Sequence, residues 1–236
     1  MLRLNILPEG YIYPKEERPV RDLMRRRLLF VHHRTSHILS LQSMITRNLG
    51  VRMTARGITK LMEEDAESMF DSPYLVLAAQ NNIATIRFLA TRIKIIEGEI
   101  RPLINIREEF KYLLTIPGIG DILGFTIMLE VGQLGRFPEV GDYSSYCRCV
   151  KSEKLSNGKK KDKNNQKNGN KYLSWAYVEA SNFIRRHCPK ADRFYQRKKA
   201  KTNGIVATKA LSNKVARASY YVMRDQVPFD EDKLFS

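Results

Sequence analysis

Leu113-Leu114-Thr115-Ile116-Pro117-Gly118-Ile119-Gly120-Asp121-Ile122-Leu123-Gly124 is the stretch whose reading decides the fold. An apolar helix end runs into Pro-Gly-Ile-Gly and is followed at once by a second apolar helix. That is the pattern of a helix-hairpin-helix element. Proline cannot continue the first helix, because it lacks an N–H and its ring clashes with the preceding turn. Gly118 and Gly120 carry no Cβ, so their backbone can approach a phosphate closely. The helix that follows offers its unpaired N–H groups and positive dipole end to the same anion. Ile119 between the glycines is expected to plug the hairpin into a core. Without a ligand, the same turn is a tight helix–helix connection.

Helical periodicity extends on both sides of this turn. Residues 5–19 hold Pro8, Gly10, Pro14 and Pro19, so they form a connector and not a regular helix. From Val20 to Leu49, Met24, Leu28, Val31, Thr35, Ile38, Gln42, Ile45 and Leu49 recur at spacings of four and three, a heptad-like seam. Gly50 and Gly57 bracket a break, and a short acidic helix is expected over about Lys60–Phe70. A second long helix is expected from about Pro73 to Thr115, kinked at Pro102. Its seam is Ile83, Ile86, Ala90, Ile93, Glu97, Ile100 and Ile104, with Glu97 as a flaw. Matching seams predict an antiparallel hairpin or an intermolecular coiled coil, and with either a homo-oligomer. Downstream, Lys151–Asn170 reads as a Lys/Asn/Gly-rich loop, with a short strand near residues 146–150. Helices return over Tyr172–His187 and Ala207–Arg224. The fold class is mostly α.

Charge is unevenly placed along the chain. Of the 236 residues, 41 are Lys or Arg and 25 are Asp or Glu, a formal net charge of +16. Residues 1–150 hold 20 basic and 17 acidic side chains, while residues 151–217 hold 19 and 4. A uniformly basic surface is thereby excluded, and a polyanion footprint in one segment is expected. Lys151, Lys154, Lys159, Lys160, Lys161, Lys163, Lys167 and Lys171 supply it first, with asparagines interleaved. Arg185, Arg186, Lys190, Arg193, Arg197, Lys198, Lys199 and Lys201 form a second cluster. Such runs are either solvated faces or phosphate clamps. Phe194 and Tyr195 within the second cluster either stack on a base or fill a core.

Other chemistry finds less support. No run of about 18 apolar residues predicts a membrane span. Cys147, Cys149 and Cys188 are too few and too oddly numbered for a disulfide framework, which fits a reducing compartment such as the cytoplasm. Cys147 and Cys149 with His187 and Cys188 could ligate zinc, but their spacing is shorter than that of known zinc sites. Glu63, Glu64, Asp65, Glu67 and Asp71 read as a solvated helix face. Ser156, flanked by lysines, is an anonymous nucleophile candidate on residue type alone.

An ordered set of motifs gives that serine a context. It begins with Leu114 to Gly120, then Gly135-Arg136-Phe137, Ser144-Ser145-Tyr146 and Ser156-Asn157-Gly158-Lys159. Asn168 to Leu173, Arg193-Phe194-Tyr195, Lys209-Ala210 and Ala216-Arg217 complete it. Together these closely resemble the C-terminal domain of DEDD-type insertion-sequence transposases, a family with a RuvC-like N-terminal domain that includes bridge-RNA-guided recombinases. Ile6 to Pro14 and the Arg-rich helix resemble the family's linker and coiled coil. The resemblance implies DNA as partner, a guide RNA, a homo-oligomer, and transposition in which a serine attacks a DNA phosphate. By motif that serine is Ser156. The resemblance also implies Mg²⁺ held by a tetrad of acids upstream of the Leu7-Pro8-Glu9-Gly10 linker, with no cofactor held by the residues that follow.

Departures from the family pattern shape the expectation. The tetrad has no counterpart here, Leu155 and Asn157 replace the usual neighbours of the serine, Ser174 stands where Arg is common, and Lys151 where Pro is common. The chain is therefore expected to be an N-terminally truncated, nucleoid-associated transposase, inactive alone. Its expected parts are a linker at 1–19, a coiled-coil dimerisation region at 20–106, a helix-hairpin-helix and transposase domain at 107–225, and a tail at 226–236. The alternative reading is a catalytically silent nucleic-acid-binding dimer.

Overall fold

The computed structural model describes residues 11–106, 108–150, 153–157, 159–163 and 168–235; for 104–106, 109, 110 and both strands the description is of backbone alone. The chain is mostly α-helical and divides into two compact units, Asp22–Pro102 and Met1–Arg21 with Leu103–Ser236.

In the first unit, α1 (Arg18–Leu49) and α4 (Pro73–Ile100) are the long elements, and α2 (Ala55–Ile58) and α3 (Asp65–Met69) lie between them in sequence. Arg27 Nε and Nη2 donate to Glu97 Oε1 at 2.8 and 2.5 Å, and His37 Nδ1 lies 3.0 Å from Asn82 Oδ1. An early residue of α1 thus meets a late residue of α4, so the two run antiparallel. Glu97, the flaw in the apolar seam, is the carboxylate that receives Arg27. Ile38, Leu41 and Ile45 pack with Ile83 and Ile86 in one core, which α2 and α3 close through Ile58 and Ala66.

The buried stripe departs from a strict heptad. Leu89 and Ile96 are buried where the seam predicts Ala90 and Glu97. Thr35 is exposed, and its Oγ1 donates to Val31 O at 2.9 Å. A straight helix repeats every 3.6 residues and drifts away from a 3.5 repeat, which widens the buried face over this length. The second helix is also shorter than expected. It ends at Ile100, Arg101–Ile106 is 3₁₀, and α5 (Glu108–Leu113) follows. Pro102 stops the helix outright rather than kinking it, since its missing N–H and its ring break the ladder.

The second unit is organised around α6 (Asp121–Val131), in which every residue from Leu123 to Val131 is buried. A helix buried along nearly its whole length is a core helix; its main neighbours are α5 and α8 (Lys171–His187), and α10 (Gly204–Asp225) packs in turn against α5, α7 (Val140–Tyr146), α8 and α9 (Pro189–Lys201). A short α11 (Glu231–Phe235) closes the chain. The aromatic stretch ahead of α1 is tied to this unit. Tyr11 OH accepts from Gln133 N at 3.4 Å, and the Arg136 guanidinium lies 4.1 Å from the Tyr11 ring.

Ile119 is buried in this core, as the Pro-Gly-Ile-Gly pattern predicts. Gly118 has φ +96°, and a Cβ there would sit 2.6 Å from Ile184 N and 3.0 Å from Ala180 O. The turn therefore lies directly on the backbone of α8. Gly120, the residue before α6, is exposed and has open space where a Cβ would stand.

The lysine-rich segment differs from expectation. Inside the expected loop, β1 (Glu153–Ser156) pairs antiparallel with β2 (Lys159–Lys163). The strand expected near 146–150 is absent there and begins instead at Glu153. Asn157-Gly158 is the overlooked signal, for Asn-Gly is the preferred dipeptide of a two-residue hairpin turn, and Asn157 has the required positive φ of 56°. Opposite charges also face each other in the register, Glu153 with Lys163 and Lys154 with Asp162.

The glycine placement makes a paired prediction. Gly118→Ala should destabilise the protein by about 1–3 kcal/mol from the left-handed backbone alone, and more from the collision with α8. Gly120→Ala should cost no more than about 1 kcal/mol. Thermal unfolding of both variants checks this, and equal melting temperatures would contradict the close packing.

Candidate nucleic-acid interface

The start of α8 is built from the Asn168–Leu173 motif. Gly169 has φ +86°, and a Cβ on it would meet Tyr146 O at 2.5 Å, so only glycine lets the chain lie against the end of α7. Asn170 N donates to the same carbonyl at 2.6 Å, and Arg148 Nε donates to Gly169 O at 3.0 Å. The Asn170 side chain then works in two directions. Its Oδ1 caps α8 by accepting from Tyr172 N and Leu173 N at 2.8 and 3.2 Å, while its Nδ2 donates to Glu130 Oε2 at 2.7 Å. Glu130 is 3% exposed, so a carboxylate on the core helix depends on this amide. These motif residues thus orient α8 and aim its C-terminal end, where the arginines lie.

The predicted binding residues fall into groups. Lys151 and Lys167 lie outside the described residues. Lys154, Lys159, Lys160, Lys161 and Lys163 are on the two strands, as is Ser156, which pairs with Lys159 just before the Asn157-Gly158 turn. Lys171 opens α8 and is exposed, its Nζ 5.1 Å from the Tyr172 ring. Arg185 is already engaged: Nε donates to Asp192 Oδ1 at 2.9 Å and the guanidinium lies 3.4 Å from the buried Tyr195 ring. Arg186, Arg193, Arg197, Lys198 and Lys199 are exposed on α8 and α9. Tyr195 therefore fills the core, and Phe194 packs toward Phe235 at 6.1 Å. Gly118 owes its identity to α8, whereas Gly120 stays open at the N-terminal end of α6, beside the exposed carboxylate residue Asp121.

Two polar arrangements escape a reading by residue type. Arg136 has its guanidinium 4.1–4.5 Å from three rings, Tyr11, Phe137 and Tyr146. Its Nε and Nη2 are buried with no hydrogen-bond partner among the described residues. The Gly135-Arg136-Phe137 motif marks the position, although nothing in it announces the box. Lys209 Nζ donates to Ser174 Oγ at 2.9 Å, joining α10 to α8.

The cysteines are buried free thiols. Burial pushes the Cys149 thiol up to about 11 and holds the Cys147 thiol well above its ordinary value, so neither is a ready thiolate. Tyr143 and Tyr177, hydrogen-bonded to each other and fully buried, are likewise held protonated by burial. Among the described residues, no three His, Cys, Asp or Glu side chains come together in a way that could hold a metal ion.

Residues 110–196 match the model of the Transposase IS116/IS110/IS902 family. The match supports a transposase. It runs from α5 through most of α9, so it takes in the turn, the core helix, the hairpin, the capping motif and the exposed Arg186 and Arg193. No curated protein matches the chain. Among the described residues, no helix is long and apolar enough to cross a membrane.

Asn170→Ala removes the cap of α8 and the donor to Glu130 together. The cap alone is worth about 1 kcal/mol, and a hydrogen bond to a buried carboxylate about 1.5–3 kcal/mol more. Denaturant unfolding should show that combined loss, and a variant within error of the parent would show that the amide does not hold the α8 start.

Proposed function

We propose that this chain is a DNA-binding transposase whose basic segment, residues 151–217, holds nucleic acid while Ser156 acts as the nucleophile. The observation that carries the reading is placement. The basic segment begins inside the matched stretch 110–196, where Arg186 and Arg193 are exposed, and continues past its end, where Arg197, Lys198 and Lys199 are exposed; among the described residues none of these five makes an ion pair, unlike Arg185. Phosphate contacts from such residues position a duplex without reading its sequence. The same charge suits a guide RNA. Gly120 remains available to a phosphate at the α6 end; Gly118 does not.

In the reaction, Ser156 Oγ attacks phosphorus and loses its proton, forming a phosphoserine ester. The bond from phosphorus to a deoxyribose oxygen breaks, and that oxygen leaves protonated as a free DNA hydroxyl. Incubation with insertion-element end DNA, Mg²⁺ and a RuvC-like domain supplied in trans should trap a covalent protein–DNA complex that Ser156→Ala abolishes. A complex that persists in that variant would remove the serine from the reading. Full binding with no complex under any condition would favour the second reading, a nucleic-acid-binding protein without transfer chemistry.

The first unit supports association with a second copy. Leu77, Phe88 and Ile95 are exposed on α4 at 59%, 61% and 46%, and with Ala84 they sit at a-and-d-like intervals on its outer side. Sedimentation should show a concentration-dependent dimer that Phe88→Asp shifts toward monomer. A monomer at every concentration would exclude this use of the face.

A further inference from the structure

The connection between α9 and α10 combines features that nucleic-acid charge alone does not explain. The last turn of α9 presents Lys198, Lys199 and Lys201, all exposed. Three residues later the first turn of α10 presents Ile205 at 83% exposure and Val206 at 42%. Lysines at a helix C-terminus are favourable against its dipole and need no ligand. An isoleucine almost wholly in water gains nothing from the fold, so the dipole leaves it unexplained.

The tip is also braced. Asn203 Oδ1 accepts from Val206 N at 2.9 Å, and Asn203 O accepts from Ala207 N at 3.0 Å. Thr202 Oγ1 donates to Lys198 O at 2.8 Å, fastening the turn to the end of α9. Below it, a Cβ on Gly204 would lie 3.3 Å from Tyr195 OH, and Tyr195 is itself held by Arg185. The isoleucine is thus presented on a fixed backbone rather than on a floppy loop. Lys201 is four residues from Ile205, at most about 14 Å along the chain.

We propose that the α9–α10 tip is a wedge for duplex DNA, with Ile205 entering between two base pairs and Lys198, Lys199 and Lys201 gripping the flanking phosphates. Charge complementarity selects the occupant: an exposed apolar side chain that follows three exposed lysines within seven residues suits a polyanion whose interior is apolar. Proteins that kink DNA by about 20–90° insert isoleucine, leucine, phenylalanine or methionine in this way. Unstacking a step costs energy, and the phosphate contacts made by the bent duplex repay it. The inference rests on the DNA-binding reading above and specifies how that binding deforms its target.

The test uses the full chain and a duplex carrying 2-aminopurine, with a fluorophore at each end. Binding should raise 2-aminopurine fluorescence and bring the ends closer. Ile205→Ala should reduce both signals and weaken binding by about tenfold, the loss expected for one stacking contact. Ile205→Met, which keeps an apolar wedge, should restore them. Circular dichroism of the alanine variant should match the parent, since the side chain packs on nothing. Ile205→Ala that binds and bends DNA like the parent would overturn the wedge. So would a change in the sedimentation of the free protein, which would assign Ile205 to a protein contact. Absence of duplex binding by the parent at any salt concentration would instead overturn the underlying DNA-binding reading.

Discussion

The approach of one backbone to another, where the Pro117–Gly120 turn lies on α8, is the constraint on which the C-terminal unit depends. A side chain at 118 would collide with Ile184 N and Ala180 O, two atoms that cannot move without breaking α8. With the turn seated there, Ile119 reaches the core, and α6 packs on α8 with every residue from Leu123 to Val131 buried. The same economy recurs at the other end of α8. Gly169 admits the chain against α7, and Asn170 then satisfies both the helix N-terminus and the buried Glu130. Two glycines and one amide thereby fix the helix that carries Arg185 and Arg186.

A division of labour follows from this arrangement. The glycines, Asn170 and Arg136 are spent on close packing and on burying polar groups, which leaves them little to offer a ligand. Exposed charge is left to the end of α8 and to α9. Arg185 shows how the two roles separate within one cluster: bound to Asp192 and stacked on Tyr195, it stiffens the α8–α9 corner, while its neighbour Arg186 faces water. The corner in turn supports Tyr195, above which the α9–α10 turn is laid.

Much of this was legible in the residues themselves. The apolar stripes of Tyr172–His187 and Ala207–Arg224 foretell α8 and α10 within a residue or three, because helical period and burial agree there. Ile119 is legible because an apolar residue between two turn glycines has only the core to enter. The hairpin escaped because lysine and asparagine are poor strand formers, so composition masked the Asn157-Gly158 turn signal and the facing charges. Gly118 looked like a phosphate contact for a similar reason: a sequence shows that a Cβ is excluded, not by what. Contacts distant in the chain, such as Tyr11 with Arg136 or Asn170 with Glu130, leave no local pattern at all. Glu97 is the reverse case, a visible flaw in a seam whose partner Arg27 lies seventy residues away.

The central claim is that the packing motifs hold the fold while the basic segment meets nucleic acid. Hydrogen exchange of the full chain, with and without a DNA duplex, tests it directly. Slowed exchange should appear across residues 186–206 and in the strands at 153–163, with no change in the buried helix at 121–131. Protection centred on the Pro117–Gly120 turn and the start of α6, with none on α9, would contradict it.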